Sequence, residues 1–318
     1  MLGIWLEKEH LSLRDDLPIP TPPKGEALIR VLKAGVCATD NALARGYYPY
    51  TGILGHEFVG VVESEGEWKG ARVCGEINAV CGQCEQCLNG RRTHCDNRTT
   101  LGIINRHGAF ADYLTLPFEN LRPVPESISD DEATFTEPLA AALEIQQQIQ
   151  VKPTDRVIVI GDGRLGMLCA QTLALTGCDL LVLGRYPAKL DLLAARGIRT
   201  ALADDAPRAR ADIVVECTGK LPSFELAQRL TRPRGTLVLK SSYVGRVPAD
   251  LASAMVNEIT ILGSRCGPFA PALDLLARKW VDVQPLIHAR FPLNEGLAAM
   301  AKAQEKGILK VLVEVSRL

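Results

Sequence analysis

The sequence is poor in the features that would take a chain to a membrane or to nucleic acid. Nowhere among its 318 residues is there an apolar run of the roughly 18 positions needed to cross a bilayer. The opening MLGIWLEKEH has no basic segment followed by an apolar one. Neither a signal peptide nor a membrane span is therefore expected, and the expected setting is cytoplasmic. No long basic block occurs, and 36 Lys and Arg are set against 37 Asp and Glu. Nucleic acid is thus not an expected partner. Internal repeats and low-complexity tracts are also missing. Hydrophobic residues make up 47% of the chain, enough for a full core, and the length suits roughly two domains.

Cysteine is present but unevenly placed. Six of the ten are scattered, while Cys81, Cys84, Cys87 and Cys95 crowd into CGQCEQCLNGRRTHC with spacing C-x2-C-x2-C-x7-C. In a cytosolic chain such a cluster points to metal and not to disulfides. Four thiolates this close repel one another unless a cation lies among them. Tetrahedral zinc is the usual occupant, and a closed set of four sulfurs leaves no position for substrate. An iron–sulfur cluster and a loop of reduced thiols are the alternatives. A zinc ribbon that binds nucleic acid fits poorly, because only Arg91 and Arg92 stand close to this single knuckle.

The first 125 residues read as β-rich. Ala27–Leu32, Ile53–Glu63 and Ala71–Gly75 have strand patterns, and Asp40 is placed to cap a short helix beginning at Asn41. Within the second strand lies Gly55-His56-Glu57-Phe58-Val59-Gly60. A histidine on a buried strand is more often a core residue than a ligand. This is not the helical zinc-protease motif, since the position four after His56 is Gly60. Cys37 alone would read as a small buried hydrophobe. Ser129 followed by three acidic residues opens a helix through Gln150. Glu137 lies inside it among apolar neighbours, either facing solvent or needing a partner.

From Asp155 the pattern changes to α/β. The apolar run to Ile160 feeds Gly161-Asp162-Gly163-Arg164-Leu165-Gly166, followed by a helix and a second strand, Asp179–Gly184. GxGxxG between strand and helix is a dinucleotide-binding signature. Its glycines let backbone approach a pyrophosphate at the helix N-terminus. An NAD site has Asp or Glu at the end of the second strand. Here Gly184 and Arg185 stand there, with Lys189 a turn later. Arg185 could pair with a 2′-phosphate, so NADP(H) is preferred over NAD(H). Continued alternation through Thr218, where a third strand ends, implies a doubly wound parallel sheet, with Phe269–Trp280 as its last helix.

The motifs GVCATD (35–40), GHEFVG (55–60), CGQCEQCLNGRRTHC (81–95), TEPLA (136–140) and GDGRLG (161–166) together resemble the zinc-containing medium-chain dehydrogenase/reductase family of alcohol, sorbitol, threonine and glucose dehydrogenases. The resemblance covers essentially the whole chain. It implies a GroES-like catalytic domain over residues 1–125 and 283–318, with a structural zinc lobe at about 78–98. A Rossmann domain over 126–282 is inserted, and catalytic zinc lies in the cleft between them. Two zincs per chain and a homo-dimer or homo-tetramer follow from the family pattern.

By the same resemblance Cys37 and His56 match catalytic ligands. Glu137 would be the third, directly or through water, as in the polyol and sugar branch. Glu57 matches a carboxylate able to approach the metal, Thr39 the hydroxyl that takes the substrate proton, and Asp40 an acid supporting the site. Lys310 stands where a basic residue near the pyrophosphate is expected. It joins Gly161, Gly163, Arg164, Leu165, Gly166, Gly184, Arg185, Lys189 and Thr218 as candidate cofactor contacts. Tyr47, Tyr48 and Phe110 are candidates to line the substrate pocket. Ala42 departs from the pattern, since many relatives end the proton relay there with His. The expected activity is hydride transfer between an alcohol or polyol, or its carbonyl product, and NADP(H). A non-catalytic, crystallin-like or regulatory protein on the same scaffold is the alternative.

Overall fold

The computed structural model describes residues 1–243 and 247–316. They form two compact units, one from residues 1–137 with 269–318, the other from 138–268. Among the described residues no helix is long and apolar enough to cross a membrane.

The first unit is built on a seven-stranded sheet. Its spine is Glu26–Gly35, whose alternating burial sends Ala27, Ile29 and Val31 into the core, as the two-residue period of a strand requires. Glu57–Val62 pairs antiparallel along one edge of this spine. Lys310–Glu314 pairs along the other, with Leu312 opposite Gly35. The end of the chain thus returns to the first unit's sheet. The core gathers Ile4, Leu6, Phe58, Phe110, Leu114, Val311 and Val313.

The boundaries differ from those drawn on the sequence. Residues 126–137 and 269–282 belong to the first unit and not to the dinucleotide domain. The cause is a short helix, Asp130–Ala133, that packs on Glu26–Gly35, Glu57–Val62 and the Phe269–Ala277 helix. Ion pairs Lys33–Asp131 (2.6 Å), Arg72–Asp130 (3.0 Å), Lys279–Glu132 (2.6 Å) and Arg290–Asp131 (2.6 Å) tie it down. Its expected cap holds, with Ser129 and Glu132 forming a reciprocal capping box, which contributes about 1 kcal/mol. The expected single helix through Gln150 is two, because the chain breaks at Thr134–Phe135 before Thr136–Gln148 begins. Phe269–Ala277 is not the last helix of the parallel sheet but part of the first unit, where Gly296–Lys302 follows it.

The second unit is a six-stranded, all-parallel sheet. In spatial order its strands are Arg199–Leu202, Asp179–Gly184, Arg156–Ile160, Ala211–Glu216, Thr231–Leu239 and Thr260–Gly263. This is the 3-2-1-4-5-6 order of a Rossmann fold. Val157–Ile160 is buried throughout, as a central parallel strand covered on both faces must be.

Candidate metal and cofactor sites

The metal site of the first unit begins with a helix cap. The helix is Ala38–Leu43 with Cys37 as its N-cap, so Asp40 lies in the first turn and does not precede the helix as the sequence suggested. Asp40 is fully buried. One carboxylate oxygen accepts the Cys37 amide at 2.8 Å. The other accepts Gly55 N–H at 3.3 Å and stands 3.3 Å from His56 Nδ1. Gly55 has φ +95°, and a Cβ there would lie 2.9 Å from Phe110; only glycine fits the turn that delivers His56. Phe110 is accordingly a core residue, fully buried, and no wall of a substrate pocket. Tyr47 and Tyr48 are exposed.

Donor atoms of Cys37, His56 and Glu57 all lie within 4.8 Å of one another. The His56 ring is 3% exposed, and its Nδ1 has no well-directed hydrogen bond. Burial opposes charge on this imidazole, but Asp40 and Cys37 outweigh it and hold the His56 pKa well above its ordinary value. Donors that favour a proton on this imidazole can also favour a metal cation, which competes for the same site. Thiolate, imidazole backed by a carboxylate, and carboxylate form a donor set that suits zinc. Thr39 Oγ1 lies 3.7 Å from Cys37 Sγ. Glu137, half-buried in the first turn of the Thr136–Gln148 helix, falls outside this group.

Lys310 lies on the last strand of the first unit's sheet. It is 1% exposed, and its ammonium bonds the Glu57 carboxylate and points 5.4 Å from the Phe135 ring centroid. The ammonium is thus paired with the Glu57 carboxylate, a partner the sequence did not indicate.

The four-cysteine lobe keeps all its thiols free. Sγ separations are 3.5 Å for Cys84–Cys87, 3.8 Å for Cys84–Cys95 and 3.5 Å for Cys95–Cys81. Ligands of a tetrahedral zinc stand about 3.8 Å apart for 2.3 Å zinc–sulfur bonds, so the cage is close to the size the metal needs. The Gln83 amide and the Asn97 side chain hold the Cys81 thiol down to about 6, while desolvation and its cysteine neighbours push Cys87 up to about 12.

In the second unit, Gly161 has φ +127°, and a Cβ on Gly166 would lie 2.0 Å from the Gly161 carbonyl oxygen. Gly163 is the N-cap of the Arg164–Ala174 helix, and a Cβ there would meet nothing within 4 Å. The backbone is thus open where a pyrophosphate would sit. Thr218 is held by Glu216, a fully buried carboxylate that accepts its amide at 2.7 Å and also its hydroxyl. Arg185 and Lys189 flank the Tyr186 ring, at 5.8 Å and 5.0 Å from its centroid. Burial lowers the Lys189 pKa, while the Asp162 charge opposes that fall.

Sequence reasoning missed two carboxylates. Glu216 was visible as a lone charge closing an apolar strand. Asp162 accepts the amides of Arg185 (2.8 Å) and Tyr186 (2.7 Å); its only signal was an acidic residue inside a glycine turn.

Known proteins resemble this chain over most of its length. Residues 23–126 match the alcohol dehydrogenase GroES-like domain. The starvation-sensing protein RspB of Escherichia coli K12 is 34% identical, with 99% of this chain and 100% of that protein aligned. A sorbitol dehydrogenase of Halalkalibacterium halodurans is 29% identical, over 96% of this chain and 95% of its own. Among solved structures, a zinc-binding dehydrogenase from Sinorhizobium meliloti bound to NADP superposes with a TM-score of 0.89 at 28% identity, covering 99% of each chain. The rspB protein of E. coli CFT073 complexed with NADH gives 0.87 at 25% identity, again over 99% of each.

Proposed function

Since this chain belongs to the zinc-containing medium-chain dehydrogenase/reductase family and is an oxidoreductase, we propose that it transfers hydride between an alcohol or polyol and NADP(H). The observation that carries the proposal is the convergence of Cys37, His56 and Glu57 donors within 4.8 Å, with Asp40 behind the imidazole. Cys37 and His56 would hold the metal. Glu57, its Oε2 given to Lys310, would offer its other oxygen, and Glu137 would act through water. Three protein ligands leave a position for substrate.

Held by these residues, zinc would supply Lewis acidity toward a substrate hydroxyl or carbonyl, and the nicotinamide would supply the hydride chemistry. Thr39 Oγ1 then receives the hydroxyl proton. Ala42 offers no onward acceptor, so the proton would leave by water, the cofactor ribose or another group. Gly161, Gly163 and Gly166 admit the pyrophosphate, and Arg185 with Lys189 meets the 2′-phosphate. Carboxylate in place of a third thiolate favours the polyol and sugar side of the family, in keeping with the sorbitol dehydrogenase likeness.

A screen of polyols, sugars and simple alcohols with NADP and NAD, on protein of measured zinc content, tests this. Turnover that needs zinc and favours NADP is expected. Arg185→Ala should weaken NADPH far more than NADH. Equal loss of both would remove the basis for the NADP(H) preference, and absence of turnover with full zinc would favour a non-catalytic role.

A further inference from the structure

The end of the Asp179–Gly184 strand lacks a carboxylate for a steric reason. A Cβ on Gly184 would lie 2.8 Å from the Cβ of Asp162 and 2.6 Å from Leu190 Cδ2. The side chain of Asp162, reaching across from the glycine turn, fills the space that an acidic residue at 184 would need. Asp162 is 8% exposed. Its Oδ2 accepts the Arg185 amide at 2.8 Å and the Tyr186 amide at 2.7 Å. Tyr186 is the N-cap of the Pro187–Ala194 helix and has no side-chain cap of its own. Asp162 therefore ties the glycine turn to the short segment that carries Arg185, Tyr186 and Lys189.

We propose that Asp162 is a positioning residue for cofactor selection: by holding the Arg185 and Tyr186 amides it fixes the cationic segment against the glycine turn, so that a 2′-phosphate meets Arg185 and Lys189 already in place. The proposal rests on the NADP(H) reading above. Pre-organisation of this kind saves the ordering of a flexible loop on binding. The ligand class is an adenosine with a 2′-phosphate. The role differs from direct contact, because the carboxylate acts through two backbone amides and its charge would, if anything, repel the phosphate.

The test compares zinc-loaded wild type, Asp162→Ala, Asp162→Asn and Arg185→Ala, using calorimetric titration with adenosine 2′,5′-bisphosphate and with NADH. Hydrogen exchange of the 183–190 segment is followed without cofactor. Asp162→Ala should weaken the bisphosphate about tenfold, the effect of losing one or two amide acceptors, and NADH by less than about threefold. Asp162→Asn keeps an accepting oxygen and should stay within about threefold of wild type for both. Exchange at Arg185 and Tyr186 should quicken about tenfold in the alanine variant only. Should that variant lose its fold, Asp162→Ser takes its place with the same expected direction. The proposal is overturned if the alanine variant binds the bisphosphate like wild type, if alanine and asparagine fall alike, or if asparagine binds it more tightly. If wild type holds the bisphosphate no better than 5′-AMP, the NADP(H) reading fails. The amide exchange then decides the role of Asp162 by itself, and unchanged exchange in the alanine variant rejects it.

Discussion

The Lys310 ammonium rests on the Glu57 carboxylate, 253 positions earlier in the chain, with both side chains 1% exposed. Each comes from a strand that flanks Glu26–Gly35 on opposite sides. A Cβ on Gly35 would lie 2.4 Å from the Glu57 Oε2 and 3.5 Å from Lys310 Cδ, so a glycine in the central strand makes room for the pair. Neither charge could be buried there without the other.

Removing one partner should therefore cost more than removing both. Lys310→Met leaves an unmatched buried carboxylate and should destabilise the first unit by about 3–5 kcal/mol. Adding Glu57→Gln should recover at least half of that loss. Urea unfolding of the two single variants and the double variant checks it, and strictly additive losses would show that the pair is not coupled.

Asp40→Asn keeps an oxygen for the Cys37 amide but withdraws the charge 3.3 Å from His56 Nδ1. Zinc affinity at the Cys37–His56 site should fall about 10–100-fold, the usual effect of losing a carboxylate behind a ligand histidine. The four-cysteine lobe should be untouched. Competition with a chelator reads both sites, and loss of both zincs together would mean a folding defect instead.

Two glycines of one motif should respond in opposite ways. Gly163→Ala adds a Cβ to open space. The fold should stay intact by thermal melting while the cofactor is excluded, weakening about tenfold or more by direct obstruction of the pyrophosphate. Gly166→Ala drives a Cβ to 2.0 Å from the Gly161 carbonyl oxygen, so it should destabilise the second unit itself, by about 1–3 kcal/mol. Equal melting temperatures for the two variants would contradict the geometry.

Acid should loosen the junction around Asp131. Burial raises its pKa, but pairs with Arg290 and Lys33 outweigh this and leave it below the ordinary 3.8. The folded carboxyl thus binds its proton less readily than the unfolded one. Its stabilisation is complete above the unfolded pKa and lost as pH falls through the folded one. Asp131→Asn should lower stability at neutral pH and flatten the acid limb below about pH 4, by the same linkage. A series of denaturation midpoints against pH measures it, and an unchanged acid limb would exclude Asp131 from it. Arg290 is 41% exposed, so solvent screening keeps the effect modest.

Much of this was legible in the sequence because its signals are local. The four cysteines sit within fifteen positions, and their cage needs only one loop to close. The buried parallel strands are continuous apolar runs, and the glycine turn lies between strand and helix. Cys37, His56 and Asp40 were singled out only through the likeness of their motifs to the family, and the role of Asp40 as a cap was misplaced by a turn. What the sequence could not reveal are pairings between distant strands and turns. Lys310 reads as a free cation until the last strand is laid beside Gly35, where it meets Glu57. The resemblance makes Glu137 the third ligand and Glu57 a carboxylate able to approach, but the Glu57–Val62 strand sets Glu57 beside Cys37 and His56 and leaves Glu137 outside that group. Asp162 is one residue in a common motif until the Asp179–Gly184 strand brings the Arg185 and Tyr186 amides to it. The sequence by itself determined the family, the four-cysteine cluster and the cofactor fold, because the cluster and the glycine turn are written in short-range spacing. Only the tertiary structure decided which carboxylate joins Cys37 and His56 and which cation pairs with it, because a buried charge takes its meaning from the partner that desolvation forces on it.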